Sequence, residues 1–416
     1  MKSYNQALKI LRKSRIQIYS EIIKSVDSLN RICSSNIYSK NNHPSENNSS
    51  LDGFAINSNS TKGISYKNSK KFKIVGSVSA GSKPYRKIIK KNEAIEIMTG
   101  GVMPKGCNSI IPIEECAFIK NKKNKYIIIK KAFKKFENVR LKGSDFKIRD
   151  LVIKKNTLIN SNHIKALKAL GIENIKVKKK VNIVFFSSGN EISEHNQIAK
   201  WKIRNSNHHY LKSLNYNFLF NFKNLGILRD KDENKFYKKL LKILNSKTNI
   251  IITSGAVSAG KFDFIPKVIN KLKLSNSFKN ILIRPGKPIL FAKFKGKSKV
   301  IFGLPGNPIS TAACFRFFVF PYILNILGLS LERSIKSKLK NRFIKKKEFT
   351  RFVKSKLSTT KDGKLEVEIL KGQESFRIKS FVKSNIWVLL PAGKSKFKKG
   401  DIVDCFFPNH SNQTLI

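Results

Sequence analysis

The stretch Asn249–Pro266 reads NIIITSGAVSAGKFDFIP. A short β-branched run, Ile250 to Ile252, breaks into a loop of Gly, Ser and Ala, the pattern of a buried strand that ends in a tight loop. Inside the loop, GAVSAGK approaches the phosphate-binding pattern G-x-x-x-x-G-K-[ST], but Phe262 stands where the pattern needs a hydroxyl. Nucleotide hydrolysis at such a loop uses that hydroxyl on Mg²⁺ and a second Asp at another strand end. No strand here ends convincingly in such an Asp, and a second near-miss, GSVSAGSK (76–83), has Ser82 in place of the lysine. These departures argue against an ATPase or GTPase.

Residues 181–330 alternate strand-like and helix-like segments. VNIVFFSSGNEI, FLFNFKNLGIL, NIIITSG and the start of VIFGLPGNPIS read as strands. HHYLKSLNYNF, NKFYKKLLKILN and the apolar run after Pro308 read as helices. Such alternation predicts a doubly wound α/β domain, a parallel sheet with helices on both faces. Ligands of such sheets sit beyond the carboxyl ends of the strands. Two strands end there in similar loops, FFSSGNE (185–191) and IITSGAVSAGKFD (251–263), each giving Ser-Gly and then an acid. Their glycines let the backbone approach a ligand, and their hydroxyls suit phosphate oxygens. Glu191 and Asp263 suit a cation such as Mg²⁺ bridging to phosphate; capping of the next helix is the bland alternative. Two stiff Pro/Gly loops follow, RPGKP (284–288) and LPGNPIS (304–310), presenting Arg284, Lys287 and Asn307 with little ordering on binding. Ser310 is placed to cap the following helix.

Residues 1–30 show helical spacing through Ala7, Ile10, Leu11 and Ile18. Residues 51–140 are β-like, residues 141–177 are mixed, and the chain turns β again after about Arg333. There, LSTTKDGKLEVEIL carries an Asp362–Gly363 hairpin turn. A chain of 416 residues is expected to form about two to four domains. With 40% hydrophobic residues and 30 Phe it can fill their cores, which argues against global disorder.

Lys+Arg number 84 against 26 Asp+Glu, a formal charge of +58. The lysines run from end to end beside abundant Asn and Ile, a global composition bias and not a clustered footprint, so nucleic acid is not expected as the main partner. The five cysteines are odd in number and lack a C-x-x-C pair, which suits a reducing compartment and no Cys zinc site. The one adjacent histidine pair, His208–His209, reads as surface. The N-terminal segment lacks an apolar signal core, and CFRFFVFPYILNILGL is short for a membrane span. A cytoplasmic protein with no membrane contact is expected.

Taken in order, SSLDGFAI, IEIMTGGVMPKGCNSIIPIEE, LKGSDF, LINSNHIKALKALGIENIKV, FFSSGNEI, IRNSN, LGILRD, TSGAVSAGKFDF, IRPGKP and LPGNPIS resemble the molybdopterin molybdenumtransferases, the molybdenum-insertion enzymes to which the C-terminal domain of gephyrin is similar. The likeness runs from SYNQAL to KSNIWVLLPAGKSKFKKGDIVDCF, nearly the whole chain.

The resemblance implies an elongated homodimer of four-domain chains. An N-terminal helix (1–30) packs with the α/β domain (181–330). A β-rich domain (51–140) is inserted in a small mixed domain (31–50 and 141–180), and a β-barrel-like domain (331–416) closes the chain. It implies insertion of molybdenum from molybdate into adenylylated molybdopterin, with release of AMP and participation of Mg²⁺ or another divalent cation. The upstream adenylyltransferase is an implied partner. By resemblance, Asp52, Thr99, Asp145, Glu191, Asp230 and Asp263 are catalytic, with Asp263 and Glu191 on the metal. Ser254, Gly255, Ser258 and Gly260 would cradle the pterin or its phosphate, and Ser188 and Gly189 would also bind substrate. Arg284, Lys287, Pro305 and Pro308 match the loops that handle molybdate, and Asn307 and Ser375, a serine of the last domain, are further substrate-binding positions. Asp52 and Thr99 would act across the subunit interface.

Three positions depart from the family's habit. Ala256 replaces the second Gly of SGGVS, Asn190 replaces an Asp, and Asn280 replaces a Lys. The alternatives weighed are a molybdopterin adenylyltransferase, which would not need the flanking β domains, and a non-catalytic scaffold of the same fold.

Overall fold

The computed structural model describes residues 1–121, 124–195, 197–214, 218–257, 264–272 and 274–408. Strand Ile250–Ser254 lies inside a six-stranded sheet. The spatial order is Phe220–Leu228, Val181–Ser188, Ile250–Ser254, Val300–Leu304, Leu290–Lys293 and Ser275–Lys279. Alternation along each strand feeds two cores. Ile250 and Ile252 join Ile183, Phe185, Phe302 and the apolar faces of helices Tyr4–Lys13, Ser206–Ser213 and Pro308–Cys314. Ile251 joins Val184, Phe186, Ile301 and helices Glu233–Leu244 and Ile265–Lys271 on the opposite face. The sheet is therefore covered on both sides, as the sequence predicts. It departs from an all-parallel sheet near one edge, where Leu290–Lys293 runs antiparallel to both its neighbours, Val300–Leu304 and Ser275–Lys279. The reason is length: segment 294–299, with Gly296 at φ +66°, is far too short for a crossover helix.

Residues 1–30 are not one helix. The helix spans Tyr4–Lys13, opened by Ser3 and Gln6 in a reciprocal capping box. It buries Ala7 and Leu11 against the core; burial of a leucine contributes about 1.5–3 kcal/mol. Beyond Ser14 the chain turns β: Ser20–Lys24 pairs antiparallel with Asn174–Lys178. The β-branched density of RIQIYSEII outweighs the helical spacing that carries through to Ile18.

The inserted β-rich segment forms its own six-stranded sheet around Phe54, Phe72 and Ile111. Near the C-terminus, Thr350–Thr359, Leu365–Ile369, Ile335–Leu339, Ile402–Phe406 and Ile386–Leu390 pair in a ring that closes back on Thr350–Thr359, a closed barrel. Its first hairpin turns at Asp362–Gly363, with Gly363 at φ +77°. Ile283–Arg284, from the α/β segment, adds to this barrel sheet in parallel with Thr350 and Arg351. That pairing stitches the two domains together at the place where the Pro/Gly loops lie.

The apolar segment expected to be too short for a membrane belongs to a 20-residue helical stretch, Pro308–Leu327, whose most apolar window is 89% buried. Length therefore does not set it apart from a span; burial does. Arg316 in its middle is 3% exposed, pairs with Glu332 and donates from Nε to the carbonyl of Phe407 at 2.6 Å.

Candidate functional site

Loops from the carboxyl ends of three neighbouring parallel strands meet. Gly255 stands at φ +96°, and a Cβ there would fall 2.4 Å from the carbonyl oxygen of Ser188, so only glycine permits this approach. The hydroxyl of Ser254, 1% exposed, accepts from Asn207 Nδ2 at 2.7 Å and lies 3.3 Å from both the Pro305 carbonyl and Thr311 Oγ1. Asn207 Nδ2 also donates to the Gly306 carbonyl at 2.8 Å. Ser254 thus spends its hydroxyl inside the protein and fixes the LPGNP loop. Ser188 differs: its Oγ is buried with no hydrogen-bond partner among the described residues. An orphaned hydroxyl at a strand end suits a ligand oxygen.

Gly189 and Glu191 follow. The Glu191 carboxylate folds over Gly189, where a Cβ would come within 2.3 Å of Oε2. Asn190 Nδ2 donates to Asp230 Oδ2 at 2.7 Å, and Asn190 Oδ1 accepts from the Asp230 amide at 3.3 Å. One amide therefore ties both acid-bearing loops together. Glu191 and Asp230 offer oxygen donors, a set suited to a hard cation such as Mg²⁺. Arg229, which sequence reasoning passed over, clamps the loop by donating to the carbonyls of Gly189, Asn190 and Ile192 at 3.0, 3.2 and 2.8 Å. Ser258, Gly260 and Asp263, with Lys261, lie outside the described residues.

A cavity of about 630 Å³ lies between the α/β and barrel domains. Arg284, Lys287, Pro305, Asn307 and Ser375 all line it, so the structure brings together five residues from three separate sequence segments. Pro308 stands beside it as the first residue of helix Pro308–Cys314, whose cap position is Asn307. Ser310 is therefore inside the helix, not its cap, and it too lines the cavity. The Ile309 amide donates to the Ser375 carbonyl at 3.2 Å, docking the barrel loop on the helix start.

Sequence reasoning missed Arg351 and Glu374, which also line the cavity. Arg351 lies opposite Arg284 in the parallel pairing. Its Nε is buried with no hydrogen-bond partner among the described residues. Burial and then the Arg284 charge push its pKa down, against the pull of Glu374. Three cations, Arg284, Lys287 and Arg351, face one carboxylate, Glu374, across the cavity. Such a cavity is built for an oxyanion.

The loop carrying Glu374 and Ser375 is held from below. Lys354, 1% exposed, donates to the carbonyls of Gly372, Glu374 and Arg377 at 2.7, 3.2 and 3.1 Å. Gln373 accepts from the Lys354 amide at 3.0 Å and donates to the Lys354 carbonyl at 2.8 Å.

In the inserted domain, Thr99 donates to Asp52 Oδ1 twice, from its amide at 2.7 Å and from its hydroxyl at 2.8 Å. These bonds, the amide first, hold the Asp52 carboxyl below its ordinary pKa. Asp52 and Thr99 thus form one unit, whereas Asp145 is exposed in a separate loop. None of the three lines the cavity.

Comparison with known proteins covers almost the whole chain. Residues 2–171 match the MoeA N-terminal region (domain I and II), 185–325 a probable molybdopterin binding domain, and 336–406 the MoeA C-terminal region (domain IV). A molybdopterin molybdenumtransferase of Staphylococcus epidermidis is 31% identical over 97% of this chain and 94% of its own length. The chain belongs to the molybdopterin molybdenumtransferase family. A relative of the same name from Staphylococcus aureus is 33% identical over 91% of this chain and 88% of its own. A solved molybdopterin biosynthesis moea protein from Pyrococcus horikosii superposes with a TM-score of 0.84 at 26% identity, covering 98% of this chain and 99% of that one.

The three departures from the family pattern have distinct local settings. Ala256 stands at φ +53°, the left-handed region where the usual glycine is at ease and alanine is strained. Asn280 stands at φ +59°, where asparagine is among the few tolerated side chains. Asn190 spares Asp230 a second carboxylate at hydrogen-bond distance.

Proposed function

We propose that this chain inserts molybdenum from molybdate into adenylylated molybdopterin and releases AMP. The observation that carries the proposal is the Arg284–Lys287–Arg351 cavity, joined through the LPGNP loop to the strand-end loops in a molybdopterin molybdenumtransferase fold. The curated relatives bear that enzyme name. Molybdate is a compact tetrahedral oxyanion, and convergent guanidinium and ammonium groups recognise such a charge.

The strand-end loops take the other substrate. Gly189 and Gly255 let the strand-end loops pack closely, Ser188 Oγ is the unpartnered hydroxyl for the pterin phosphate, and Ser258, Gly260 and Asp263 are the further residues assigned to it. Glu191 and Asp263 would hold a Mg²⁺ ion, and Asp230, tied to the Glu191 loop through Asn190, offers a further carboxylate. Held there, such an ion would supply charge neutralisation at the pyrophosphate, which favours departure of AMP. Cavity and loops, tied by Ser254 and Asn207, keep the two anions apart in charge and close in space. Asp52 and Thr99 act across the interface of a homodimer, in a cytoplasmic enzyme fed by an adenylyltransferase.

Purified protein given adenylylated molybdopterin should release AMP only when molybdate and Mg²⁺ are both present, and Asp263→Asn should cut turnover severely with the protein still folded. AMP release independent of molybdate, or none at all, would sink the proposal.

A further inference from the structure

The segment between Glu191 and helix Ser206–Ser213 leaves the sheet and returns, its ends paired as Ile192–Ser193 with Ile203–Arg204. Glu194 follows the first pair; His208 and His209 are the third and fourth residues of the helix. The sequence marks both histidines as surface, but His208 is only half exposed. One ligand atom from each of Glu194, His208 and His209 lies within 4.8 Å of the others. His209 Nε2 is 3.8 Å from Glu194 Oε2.

The cluster is supported from beneath. Asn205 Nδ2 donates to Glu194 Oε1 at 2.6 Å, and Asn205 Oδ1 accepts from the buried Ser187 hydroxyl at 2.8 Å. That leaves Glu194 Oε2 facing the imidazoles. The His208 ring is stacked near Phe222 at 6.2 Å and Phe185 at 6.4 Å, which fixes its plane. Its Nδ1 is buried and has no hydrogen-bond partner among the described residues. An oriented carboxylate, a fixed imidazole and a second imidazole against it are the parts of a first and second ligand shell.

We propose that Glu194, His208 and His209 bind a divalent transition-metal ion of the zinc class, with a water or an incoming ligand in the fourth position. Imidazole nitrogens favour zinc, cobalt, nickel or copper over Mg²⁺, so the site is distinct from the all-oxygen Glu191 set beside it. Tetrahedral ligands about 2.0 Å from zinc stand about 3.3 Å apart, and the exposed His209 ring can turn toward that spacing while Asn205 holds Glu194. The ion would pin the 194–205 segment to the helix, beside the loop that carries Glu191. The site does not depend on the proposed molybdenum transfer.

The test uses the full chain, stripped with a chelator and titrated with Co²⁺ by visible absorption and with Zn²⁺ by calorimetry. One ion per chain is expected, undisturbed by excess Mg²⁺ and by Asp263→Asn. His209→Ala and Glu194→Gln change exposed side chains, so the fold should survive, and each should weaken binding by about tenfold or more. Binding that Mg²⁺ displaces, binding that survives both substitutions, or no stoichiometric binding would overturn the site and leave Glu194–His209 as a surface ion pair.

Discussion

Arg284 and Arg351 are directly opposed residues of a parallel strand pair, and both line the same cavity. Like charges placed opposite one another destabilise a sheet. Here the pair joins two domains, and the Arg351 Nε is buried without a partner among the described residues. An oxyanion between the two guanidiniums would resolve the repulsion. Arg351→Ala should therefore weaken molybdate binding by about tenfold or more, the scale of one charged hydrogen bond. The melting temperature without anion should hold or rise. Calorimetric titration with molybdate, beside thermal melts, checks both; a melting temperature that falls with unchanged affinity would make Arg351 purely structural.

Lys354 sets a pH limit on that cavity. Burial lowers its pKa from 10.5 to about 8, with the Glu374 charge opposing. As pH rises through about 8 the amine loses its charge and one of the N–H donors that hold the Gly372, Glu374 and Arg377 carbonyls. Molybdate affinity should fall across that range, and Lys354→Met should be weak throughout, without that step. Stability moves the other way. The folded pKa is below the unfolded one, so the unfolded chain binds more protons between about 8 and 10.5, and this group's contribution to stability rises with pH there. Denaturant melts at several pH values, compared with Lys354→Met, separate the two trends.

Ala256 at φ +53° costs about 1 kcal/mol relative to a residue at ease in that region. Ala256→Gly should raise unfolding stability by about that amount, measured by denaturant titration, and should leave turnover at least as high. A destabilised glycine variant would show that the alanine methyl, packed beside the Val184–Phe186 core, outweighs the backbone strain.

Asn190→Asp restores the charge usual in the family but sets a carboxylate against Asp230, whose Oδ2 accepts from the amide at 2.7 Å. Without a divalent cation the variant should be less stable than the parent, and Mg²⁺ should recover more stability in the variant. Thermal melts with and without Mg²⁺ read the difference; equal responses would remove Asn190 from the cation's surroundings.

The α/β domain was legible because alternation and loop chemistry agree: Ile250 and Ile252 face one core, Ile251 the other, and glycines punctuate the strand ends. The Asp362–Gly363 hairpin and the Arg284, Lys287, Asn307 group were legible for the same reason, since stiff turns carry their side chains in a fixed direction. The strand at Ser20–Lys24 was not, because its partner, Asn174–Lys178, is far away in sequence. Arg351 and Lys354 were hidden by composition. Among 84 basic residues nothing local marks the one opposed to Arg284 or the one buried under a loop. Only the pairing of two domains supplies that information.

The central claim is that this cavity and these strand ends join molybdate to an adenylylated pterin. Its most direct measurement counts molybdenum carried by the pterin product against AMP released in one reaction, for the parent protein and for Arg351→Ala. One molybdenum per AMP is expected in the parent, with a severe loss of both in the variant. AMP released without molybdenum on the pterin, or equal transfer by both proteins, would contradict it.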